Sequence, residues 1–123
     1  MEDLRSLNTI VKKVESTDKK ALFTCYVNSS FEGFKGHFSD MPVVPGVVQV
    51  HWAVEAARIV TGDSNFMPEE ITLLKFVNLL TPDTSFTIDI ELIKDKWRFK
   101  IFNSEQDFAS GRILPRSGDV LHD

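Results

Sequence analysis

Residues 36–58 read GHFSDMPVVPGVVQVHWAVEAAR, and this stretch decides the fold. Prolines at 42 and 45 push the residues before them away from helical geometry, so no helix runs through the segment leading to Gly46. From Val47 to Val60 the chain then runs fourteen residues without proline or glycine, and Gly62 supplies a stop. The spacing predicts one helix over about Val47–Val60. At 100° per residue nearly every direction around it is apolar, which marks a helix buried on most sides. His51, Glu55 and Arg58 share one narrow stripe, and Gln49 lies roughly opposite.

A helix of that kind needs something to enclose it, and the flanking sequence supplies strands. Apolar and polar residues alternate over Leu7–Glu15 and Lys19–Val27, with STDK between them as a turn, which predicts a β-hairpin. After GDSNFMPEE come ITLLKFVNLL, SFTIDIELI, KWRFKIFN and DFASGRIL, punctuated by TPDT, KDK and SEQD. NSSFEGFKGHF has neither period and reads as a loop leading to His37. The order is two strands, one helix, four strands. A curved antiparallel sheet of about five to six strands wrapped around one long central helix is the economical α+β solution, the hotdog architecture. Such a sheet exposes an edge strand, and pairing two edges makes a dimer.

The 123 residues, 42% hydrophobic, suit one domain with one core, and residues from about 116 to 123 read as a loose tail that includes His122. No apolar run approaches the ~18 residues of a membrane span, and no secretory pattern opens the chain; both point to a cytoplasmic protein. The single cysteine, Cys25, excludes a disulfide framework and reads as a buried apolar residue. A net charge of −4 argues against bulk nucleic-acid binding. The three histidines are not spaced as a metal-ligand set.

The quoted stretch resembles the signature of FabA/FabZ-type 3-hydroxyacyl-acyl-carrier-protein dehydratases, with His37, Phe38, Pro42, Pro45, Gly46 and Val47 at matching spacing. LLKFVNLLTPDTSFTIDIEL is similar to the family's strand, proline turn and next strand, so the resemblance covers most of the chain. PGVVQVHWA further resembles a divergent branch tied to aryl-polyene and related lipid pathways. Ser39 stands where the family usually has proline. His51 stands where the family's catalytic glutamate falls, and Glu55 where its glutamine falls.

The resemblance implies removal of water from a 3-hydroxyacyl thioester on acyl-carrier protein, without metal or redox cofactor, by a homodimer or higher homo-oligomer with shared active sites. Dehydration needs a base at C2, an acid at the departing C3 hydroxyl and a stabiliser of negative charge on the thioester oxygen. His37 suits the base, because an ordinary imidazole is mostly neutral near pH 7. Unpaired N–H groups at Gly46 and Val47, opened by Pro45, suit the oxyanion. The acid is His51 supported by Glu55, or Glu55 itself. Phe31, Phe34 and Phe38 are candidates to line an entrance; Trp52 reads as core or interface, and Gln49 as a packing or interface residue. Lys75, Arg98, Lys100 and Arg112 are candidates for a basic patch facing an acidic carrier protein. Two other readings stand beside this one: a thioesterase using Glu55, and a non-catalytic acyl-binding or scaffolding subunit.

Overall fold

A computed structural model describes residues 6–30 and 42–116. Six strands form one antiparallel sheet: β1 (Val11–Ser16), β2 (Lys20–Val27), β3 (Pro68–Phe76), β4 (Thr84–Ile93), β5 (Lys96–Phe102) and β6 (Asp107–Pro115). Their order across the sheet is β1-β2-β4-β5-β6-β3, and the one α-helix among the described residues, α1 (Gly46–Thr61), lies between β2 and β3 in the chain. This is the hotdog arrangement the sequence predicts.

The period of two places the core. Ala21, Phe23, Cys25 and Val27 of β2 point inward, as do Phe86, Ile88 and Ile90 of β4 and Trp97, Phe99 and Ile101 of β5. Against this face α1 sets Val48, Trp52, Ala53, Ala56 and Ala57, and it reaches β2, β4 and β6. The three alanines let the helix approach closely, while the fully buried Trp52 stacks on Phe86 with ring centroids 5.6 Å apart. Gly62, at φ 70°, closes the helix by donating to the carbonyls of Arg58 and Ile59. Lys94 and Asp95, both at positive φ, make the two-residue β4–β5 turn, whose twist matches the paired strands.

Three boundaries differ from the sequence expectation. Leu7–Thr9 is a 3-10 turn rather than the start of a strand, because the amides of Thr9 and Ile10 close locally on Ser6 and Leu7 carbonyls at 3.1 Å. β3 begins three residues early, at Pro68, and stops at Phe76 rather than Leu80; a bulge at Leu73, with φ 54°, breaks its alternation. Residue 116 is not loose: the Arg116 amide donates to the Met67 carbonyl at 3.2 Å. Residues 117–123, with His122, lie outside the described residues.

Cys25 is buried as expected, and loss of water around the thiol pushes its pKa from 9.0 up to about 12. Above pH 9 the unfolded chain loses that proton while the folded chain keeps it. This contribution to stability is therefore intact below pH 9 and falls as pH rises toward 12, by up to about 1.4 kcal/mol per pH unit. Denaturant titrations from pH 8 to 11 are expected to show a shallower alkaline decline in Cys25→Ala than in the parent chain.

Candidate active site

The start of α1 is held from both sides. The Val44 amide donates to the Leu80 carbonyl at 2.8 Å, and the buried Gln49 Nε2 donates to the Val44 carbonyl at 3.2 Å. Pro45 is the N-cap, and its carbonyl accepts from both Val48 and Gln49. That leaves the N–H groups of Gly46 and Val47 without an acceptor among the described residues, as the geometry of a helix start requires. A Cβ at Gly46 would sit 2.7 Å from Cζ of Phe76, so glycine here lets the ring of the β3 end lie against the helix.

One turn beyond Val47, on the same face, stands His51, its side chain 44% exposed. Its Nε2 lies 2.9 Å from Glu55 Oε1, and the same oxygen accepts the Leu7 N–H at 3.0 Å. Glu55 is thus bound between its own helix and the 3-10 turn. Arg58, third in the stripe, is not part of this group: its Nε donates to the Phe66 carbonyl at 2.9 Å and its guanidinium reaches Met67 Sδ. Of the seven expected site residues, Gly46, Val47, His51 and Glu55 lie on α1 and Pro45 is its N-cap. His37 and Phe38, with Phe31 and Phe34, lie outside the described residues.

Sequence reasoning missed Leu7, Leu80 and Phe76. A carboxylate four residues after His51 signals the pairing on the helix, but nothing in the sequence links position 55 to position 7.

Alternation places Arg98, Lys100 and Arg112 on the outer face of the sheet, around a depression of about 490 Å³ that Lys75 also lines. Arg98 pairs with Asp89 and Glu91 at 3.2 and 3.1 Å, and Lys100 with Asp107 at 3.4 Å. Lys75 and Arg112 have no acidic partner among the described residues. Only part of the expected patch therefore carries free positive charge.

The family model for ApeI-like proteins, described as ApeI dehydratase, matches residues 13–112. The chain belongs to the ApeI-like family. It is also 32% identical to a 3-hydroxyacyl-[acyl-carrier-protein] dehydratase FabZ of Ralstonia nicotianae, over 72% of this chain and 60% of that protein. The chain spans about half to three fifths of the length of the curated relatives it matches. Among solved structures, the dehydratase heterocomplex ApeI:P from Xenorhabdus doucetiae matches with TM-score 0.78 and 24% identity, covering 86% of this chain and 96% of that one. The mouse thioesterase superfamily member 2 matches with TM-score 0.64 and 10% identity, covering 82% and 77%. The FabZ resemblance and the hotdog fold of this ApeI-like chain both hold. The thioesterase likeness shows that the fold does not by itself select the reaction.

Arg58→Met should lower unfolding stability by about 1 kcal/mol through the lost bond to Phe66. Urea unfolding measures it.

Proposed function

We propose that this ApeI-like protein removes water from a 3-hydroxyacyl thioester carried on acyl-carrier protein to give the 2-enoyl thioester, in fatty-acid or aryl-polyene-type lipid biosynthesis. The observation that carries the reading is the helix start itself: two N–H groups, at Gly46 and Val47, without acceptors among the described residues, one turn before a histidine paired with a carboxylate. The amides bind the thioester oxygen as negative charge builds on it. His37 takes the C2 proton, and His51, supported by Glu55, protonates the departing C3 hydroxyl. These steps need no metal or redox cofactor. Pro45, the N-cap of the helix, borders the acyl path at these amides, and the family resemblance assigns Phe38 to substrate binding as well.

The acidic carrier protein docks on the outer-face cations, chiefly Lys75 and Arg112. We place the reaction in the cytoplasm, without a nucleic-acid partner; no helix among the described residues is long and apolar enough to cross a membrane.

The working unit is a homodimer or a higher homo-oligomer with shared sites, and the two sheet edges support this. β1 carries Lys12, Lys13 and Glu15, charges that discourage edge pairing. The other edge, at the end of β3, exposes Leu73, Leu74 and Phe76, followed by Val77 and Leu79, and its Phe76 lies against the helix start whose Val47 is 76% exposed. Pairing two β3 edges covers this apolar surface together with the His51 face. Phe76→Glu is expected to give monomers in sedimentation velocity and to abolish turnover; a dimer of unchanged affinity would exclude this edge.

The thioesterase reading retains one supporting observation, a carboxylate on the central helix. Its Oε1 already accepts the Leu7 N–H and lies 2.9 Å from His51 Nε2, which weakens it as an activator of water. One assay separates the readings: 3-hydroxyacyl- and acyl-carrier thioesters are supplied, and 2-enoyl product and free thiol are followed together. Enoyl product that disappears in His37→Ala and His51→Ala, with the fold retained, is the expected result. Mixed dimers of these two variants should recover part of the activity. Thiol release that survives His37→Ala favours the thioesterase, and no product at any chain length favours an acyl-binding subunit.

A further inference from the structure

Glu55 Oε1 meets groups from two elements far apart in the chain: it lies 2.9 Å from His51 Nε2 as an i,i+4 pair, and it accepts the Leu7 N–H at 3.0 Å. A carboxylate fixed from two directions has little freedom to turn, and a ring bonded to it inherits that constraint. The Leu7 amide is itself held. Its side chain is fully buried, it opens the 3-10 turn closed by Ile10, and that turn packs on α1. Leu7, Asn8 and Thr9 carry no titratable side chain, so among the described residues Glu55 is the one charged group paired with His51.

We propose that the Leu7 amide and Glu55 form a positioning device that commits the two nitrogens of His51 to different tasks. Nε2 keeps its hydrogen and donates it to Glu55; Nδ1 is the nitrogen that exchanges a proton with substrate. This rests on the dehydratase reading for its substrate and deepens it. In the step, the C2–H bond breaks toward the base and its electrons form the C2=C3 bond. The C3–O bond breaks, and the leaving oxygen takes the Nδ1 proton and departs as water. Nε2–H is unchanged throughout, and Nδ1 is reprotonated before the next turnover. Glu55 is then a positioning residue, and its role needs an acceptor oxygen rather than a negative charge.

The backbone donor can be removed selectively. Ser6, at φ −73° and ψ 160°, already has the extended geometry that a residue before proline requires, and proline is tolerated at the first position of a helical turn. Leu7→Pro therefore deletes the N–H together with the buried side chain, whereas Leu7→Ala deletes the side chain alone. Both would be compared with Glu55→Gln and Glu55→Ala in the otherwise unaltered protein, by steady-state kinetics on a 3-hydroxyacyl-carrier thioester and by NMR of 15N-histidine-labelled protein, with His51→Gln assigning the signal. A slowly exchanging Nε2–H of His51 is expected in the parent, in Leu7→Ala and in Glu55→Gln, and not in Leu7→Pro or Glu55→Ala. kcat should be about tenfold or more lower in Leu7→Pro than in Leu7→Ala with KM little changed. Glu55→Gln should recover most of the kcat that Glu55→Ala loses. A parent His51 protonated at Nδ1 alone, equal kcat in the two Leu7 variants, or a Glu55→Gln as inactive as Glu55→Ala each overturns the proposal. If the parent forms no enoyl product, the dehydratase reading fails on that arm, while the NMR signals still decide whether the device exists.

Discussion

Contact between the buried side of α1 and the inner face of the sheet is the constraint on which everything else rests. Trp52 and the alanines at 53, 56 and 57 are fully buried, and a helix so apolar has no stable position outside such an enclosure. Seating that side fixes the opposite one. Val47, His51, Glu55 and Arg58 are turned toward the rim as a consequence of the same rotation. The candidate site residues Val47, His51 and Glu55 are thus placed by the residues packed on the other side of the helix.

The helix start shows how structural and chemical demands coincide. Proline at 45 prevents an earlier beginning and glycine at 46 admits the Phe76 ring, so the first free amides emerge where apolar surface is also exposed. Amides without an intrahelical acceptor beside exposed apolar surface are the feature on which the proposed oxyanion role rests. Of the two sheet edges, β1 carries charges and the end of β3 exposes apolar side chains.

Much of this was legible in the sequence because it depends on local period. The helix, the β1–β2 hairpin and the strands β4 to β6 follow from alternation and punctuation, and His51 and Glu55 were placed on one face by counting. The misses have physical causes. Leu7–Thr9 alternates as a strand does, yet local bonds close it into a turn. The bulge at Leu73 leaves β3 without a clean period, and Phe76 met the helix only through the crossover that carries β3 to the far edge. Arg58 shares a stripe with His51 on the helical wheel but bonds in the other direction, to a loop carbonyl.

By itself, the sequence determined which segments are strands, which is the helix, and which side of each is apolar, because these depend on neighbours within about four residues. It also determined the family, through the spacing of His37, the two prolines and Gly46. Only the tertiary structure decided that Glu55 is shared between His51 and the Leu7 amide, a bond across 48 positions. No periodicity reports a contact of that range, since it exists only once the helix and the sheet have docked and brought the 3-10 turn against α1.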